Sequence, residues 1–154
     1  MRTLKKILLA LLIVFIAIQF IRPARNSSGQ VLPTDITKTI NVPDKVLNIF
    51  QNACYDCHSN NTRYPWYVNV QPMAWMLANH IKNGKENLNF SEFGSYSPRK
   101  QANKLRAIAK TMDEGSMPLS SYVIMHSDAK LSKEAKDLIT AWALKTRDSL
   151  MAKN

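Results

Sequence analysis

Cys54, Tyr55, Asp56, Cys57 and His58 make a C-x-x-C-H run that contains both cysteines of the chain. Two thiols three positions apart on one helical turn can each add to a vinyl group of the same porphyrin. The imidazole that follows is then placed under the ring, where it can bind iron. The chemistry that suits this spacing is covalent attachment of one c-type haem, with Cys54 and Cys57 as thioethers and His58 as proximal ligand. Other chemistries share part of the pattern. Zinc needs two further ligands at sensible spacing, and the remaining histidines, His80 and His126, stand alone. A thioredoxin-like pair expects a βαβ setting, and the chain has no such rhythm. A plain disulfide stays open, as does thiol–disulfide redox chemistry, which would use a free, low-pKa thiol.

Met117, between Gly115-Ser116 and Pro118, is the best candidate for the sixth iron ligand. A thioether is soft and neutral and raises the reduction potential of iron. Its place on a loop, before a last helix, resembles the sixth-ligand segment of class I cytochromes c. His80 is the first alternative ligand and His126 the second. Arg63, Tyr64 and Trp66, with Tyr67, come after the motif and could pack the haem edge and bond its propionates. An aromatic patch under a loop is the plainer reading of the same cluster. No Ser/His/Asp set, paired-carboxylate signature or phosphate-binding glycine loop appears. The expected role is therefore an electron carrier rather than an enzyme. A haem enzyme or sensor would leave the sixth position open.

These residues need helices to position them. Val42-Pro43-Asp44 reads as a helix start, with Asp44 at the positive end of the helix dipole. Val46, Leu47, Ile49, Phe50 and Ala53 then run into Cys54. A second helix is predicted from Pro72 to Asn83, closed by Gly84 as a C-cap. Met73, Met76, Leu77, His80 and Ile81 share its apolar face. Leu88 to Tyr96 reads as a turn-rich connection that buries Leu88, Phe90 and Phe93. Ser97-Pro98 opens the most regular helix, which ends at Glu114 before Gly115. Its inward stripe is Ala102, Leu105, Ile108, Ala109 and Met112. Arg99, Lys100, Lys104, Arg106 and Lys110 lie opposite, either as a solvated face or as a docking surface for an acidic redox partner. Ser132 caps the last helix, whose apolar face is Leu131, Ala135, Leu138, Ile139 and Trp142. The expected fold is all-α, a cytochrome c-like bundle of about four to five helices around one covalent haem. It occupies residues 43–148, ahead of a polar tail at 149–154.

The first 25 residues differ from the rest. Ile7 to Ile21 is apolar except for Gln19, and Arg2, Lys5 and Lys6 precede the run. The segment reads as an uncleaved signal anchor, a transmembrane helix that puts the domain on the periplasmic side of the inner membrane. A polar stretch, 26–42, reads as a linker. The chain carries 21 Lys+Arg against 11 Asp+Glu. Five of those cations stand in the first 25 residues, leaving a modest excess elsewhere and no basic motif of the kind that reads nucleic acid.

The C-x-x-C-H runs directly into Asn61-Thr62-Arg63-Tyr64-Pro65-Trp66-Tyr67. Leu88-Asn89-Phe90-Ser91 comes next, then Gly115-Ser116-Met117-Pro118 with Tyr122 and His126. This combination resembles the small, exported haem-binding domain proteins with a single C-x-x-C-H. The resemblance covers nearly all of the chain beyond the first segments. It implies haem binding on a fold related in outline to the cytochromes c.

Overall fold

Some helix boundaries follow local signals in the sequence. In the computed structural model, which describes residues 2–152, Pro43 is the N-cap of α3 (Asp44–Ala53). Val46, Phe50 and Ala53 of α3 are buried on one face. Ser97 Oγ accepts from the Lys100 N–H and starts α6 (Pro98–Asp113), with Pro98 at the first helical position. A positive φ of 63° at Gly115 ends it. There the Gly115 and Ser116 N–H groups donate to the carbonyls of Met112 and Thr111, the left-handed stop expected of a C-terminal glycine. Ser132 Oγ accepts from Ala135 N–H at the start of α8 (Lys133–Ala152).

α3, α6 and α8 build most of the core. All five residues of the predicted α6 stripe are buried, and Ile139, Trp142 and Ala143 of α8 close on them. Phe50 stacks on Phe90 at 4.9 Å and meets Trp142 edge-on at 5.4 Å, so the last helix crosses the one that leads into the C-x-x-C-H. Phe90 and Phe93, in a 3₁₀ segment over Phe90–Ser95, fill the space between them. The described residues contain eight α-helices and no strand, with only an isolated bridge between Ser27 and Asn61. The short ones are α2 (Ile36–Thr39), α4 (Tyr55–His58) and α7 (Ser120–Met125).

Several expectations are corrected here. The predicted end of α5 (Met73–Asn87) at Gly84 is wrong, because Gly84 lies inside the helix with its hydrogen bonding unbroken. Residues 26–42 are not a free linker. Ile36 is wholly buried in the core. Asp35 caps α2 by accepting from Thr37 N–H, and Gly94 N–H donates to the Thr34 carbonyl at 2.7 Å. Leu138 is exposed on α8, while Ala143 takes an inward place. The predicted tail is helical through Ala152, and Leu150 packs on the core. The last two residues of that tail, Lys153 and Asn154, lie outside the described residues.

The expected transmembrane helix is not supported. α1 (Arg2–Ile18) has 17 residues, about 25 Å at 1.5 Å per residue, against a hydrocarbon layer of ~30 Å. Among the described residues no helix is long and apolar enough to cross a membrane. Just beyond the end of α1 the chain is bonded to the domain. Gln19 Oε1 accepts from Gln71 N–H at 2.8 Å, and the Ile21 carbonyl accepts from both Gln71 Nε2 and Trp75 Nε1.

Candidate haem site

α3 stops at Ala53, and Cys54 leaves the helical region with φ −128° and ψ −40°. Its carbonyl then accepts from the N–H groups of Cys57 and His58, so the C-x-x-C-H closes as one turn, α4. That turn is pressed against α5 at Gly84. A Cβ there would stand 2.5 Å from the Cys57 carbonyl oxygen, so only glycine lets the two backbones approach. The residue expected to end a helix instead lets the motif dock on it.

The docking leaves a cavity of about 500 Å³, lined by Cys54, Cys57 and His58 on one side. This size lies within the roughly 300–1,000 Å³ usual for cofactor sites. Phe50, Leu88, Phe90, Ile108, Met112 and Leu119 supply apolar wall. Polar residues of its lining include His80, Asn83 and Asn87 of α5 and Lys104 of α6. Met117 completes the lining from the loop after α6.

His58 is oriented by its neighbours. Its Nδ1 lies 2.9 Å from the Leu88 carbonyl oxygen. A carbonyl can only accept, so Nδ1 carries the proton and Nε2 keeps the lone pair a metal needs. Burial holds the imidazole below its ordinary pKa, opposed by the bonds to the Leu88 and Gly84 backbone. The neutral, ligating form is thereby favoured. Both cysteines are free thiols. Burial pushes Cys54 up to about 12 and Cys57 to about 11, with Cys57 adding to the first and Asp56 to the second.

Sequence reasoning misses Asp56, the middle of the motif. It is 5% exposed, lines the cavity and anchors a network. Its Oδ1 accepts from Arg63 N–H at 2.9 Å and Arg63 Nε at 3.3 Å. Its Oδ2 accepts from Tyr122 Oη at 2.6 Å. The only local signal for this is an acid preceding a cysteine, which by itself names no partner.

The remaining predicted residues separate clearly. Met117 and His80 reach the cavity; Arg63, Tyr64, Trp66 and His126 do not line it. Arg63 is engaged with Asp56 and the Asn52 carbonyl. Tyr64 Oη accepts from Asn26 N–H at 2.6 Å, under the Arg25 guanidinium. Trp66 is 78% exposed. His126 stacks on Tyr122 at 4.0 Å and meets the Tyr67 hydroxyl at 3.5 Å. The polar groups that do line the cavity, Lys104, Asn83 and Asn87, are the ones suited to a porphyrin's carboxylates. Periodicity alone puts Lys104 on an outer face and gives the two asparagines no role.

The donor set fits haem: a neutral imidazole with its second nitrogen fixed, two adjacent thiols, and an apolar hollow with polar side chains among its lining. Such a site defines an all-helical haem-binding domain. The chain belongs to the haem-binding domain family, whose model matches residues 13–145. No curated protein and no solved structure matches it.

Proposed function

We propose that the chain is a mono-haem, c-type electron carrier. The observation that carries this reading is the convergence of Cys54, Cys57, His58 and Met117 on one largely apolar cavity. Cys54 and Cys57 would hold the group as thioethers, His58 as proximal ligand and Met117 as the sixth. When bound, haem supplies one-electron Fe(III)/Fe(II) chemistry at a potential set by its ligands and surroundings. The Leu88 carbonyl keeps His58 Nδ1 protonated, and Lys104 offers a cation to a propionate. With His58 and Met117 both holding the iron, the role would be carriage rather than catalysis.

His80 lines the same cavity, which keeps bis-histidine ligation as the second reading of the sixth position. A thiol–disulfide role is disfavoured by the raised thiol pKa values, since the thiolate is the nucleophile.

We further propose that α1 holds the domain at the inner membrane, on the exported side, where c-type attachment is completed. Its support is a basic start, Arg2, Lys5 and Lys6, and an apolar helix with no buried residue. Redox partner proteins would meet the basic side chains of α6.

The test is expression with a c-type cytochrome maturation system. The expected result is a c-type pyridine haemochrome retained after denaturation and lost in Cys54→Ala or Cys57→Ala. Met117→Ala should abolish the weak long-wavelength band of methionine-ligated ferric haem. Absence of covalent haem, with two thiols titrating instead, overturns the reading.

A further inference from the structure

We propose that Tyr122 and Asp56 are a positioning pair that holds the Met117 segment across the haem cavity. The inference rests on the reading of that cavity as the haem site. Met117, Pro118 and Leu119 all line it, and they form a strap between α6 and α7. At its start the strap is fixed to α6 by the Ser116 N–H donating to the Thr111 carbonyl. At its end it runs into α7, which buries none of its own residues. The Leu119 carbonyl accepts from the Tyr122 and Val123 N–H groups, so any movement of Tyr122 is passed back to Leu119. Tyr122 Oη then donates to Asp56 Oδ2 at 2.6 Å.

Asp56 stands between Cys54 and Cys57, and the Arg63 side chain and backbone N–H fix the carboxylate from the other side. One end of the strap is therefore bonded to α6 and the other to the turn that carries the cysteines and His58. A charge-assisted bond onto a buried carboxylate is stronger than a neutral one. His126, stacked on Tyr122 within the same segment, adds a longer 3.5 Å approach to the Tyr67 hydroxyl. Loss of the Tyr122 hydroxyl frees the strap and exposes the sixth position to outside ligands.

The experiment compares wild type, Tyr122→Phe, Asp56→Asn and Tyr67→Phe as full chains, with and without haem. Amide exchange over 117–125 is read in both forms, and the rate of cyanide binding in the ferric form. Tyr122→Phe should raise both by about tenfold, the scale of one hydrogen bond to a charged group, at unchanged haem content. Asp56→Asn should move both in the same direction and carries the test should Tyr122→Phe not fold. Tyr67→Phe, which removes only the hydroxyl that meets His126, should leave both near wild type. Unchanged exchange and cyanide rates in Tyr122→Phe, or equal loosening by Tyr67→Phe, overturn the pairing. Exchange in the haem-free chain reports on the strap alone. An absent haemochrome would therefore defeat the haem reading without touching that measurement.

Discussion

Gly84 and Cys57 are in backbone contact: a Cβ on the glycine would lie 2.5 Å from the cysteine's carbonyl oxygen. The contact is backbone against backbone, so no side chain can rotate away. Gly84→Ala must push α4 off α5. Overpacking of this kind costs about 1–3 kcal/mol, occasionally more. We expect a lower Tm and reduced covalent haem yield, read by thermal denaturation and the pyridine haemochrome. A wild-type Tm and yield would refute the contact.

Ile36 lies in what sequence composition marks as a linker, yet it is wholly buried against the α3–α8 core. Ile36→Ala should cost about 2–5 kcal/mol, as a buried large-to-small change does. Urea denaturation measures it. An effect near zero would restore the linker.

The depressed pKa of His58 makes the haem-free protein sensitive to acid. The folded state disfavours the charged imidazole, so the unfolded state binds more protons below its ordinary pKa. The stabilising contribution is present above about pH 6.5. It is lost as pH falls from there through the lowered folded value. Urea midpoints of the haem-free chain should fall across this window, and His58→Gln should flatten that fall. A wild-type profile identical to the variant's would count against the assignment.

His80 and Met117 line one cavity, so their variants separate two ligand sets. With methionine ligation, His80→Ala should leave the ferric spectrum and its long-wavelength band intact, and Met117→Ala should remove the band. The reverse pattern would assign the sixth position to His80.

Much of the fold is legible locally. Pro43, Ser97, Gly115 and Ser132 act as caps or stops through bonds to neighbours one turn away, and the α6 stripe reflects a period of 3.6 residues. Gly84 shows the limit: glycine is common after a helix and also where two backbones touch, and only a distant partner tells these apart. The cluster Arg63, Tyr64 and Trp66 misleads for the same reason. Its side-chain chemistry suits a haem edge, but Arg63 is taken by Asp56 and Tyr64 by Asn26.

The sequence by itself determined that two thiols and an imidazole share one turn, because that is a matter of spacing. It also determined the all-helical character and most helix starts, which depend on interactions within a few residues. Tertiary structure decided which donors share the cavity with that turn. It brought in His80, Lys104 and Met117, left out Arg63, Trp66 and His126, and joined Asp56 to Tyr122 across 66 positions. Such long-range pairings depend on how whole helices pack, and no local pattern carries them.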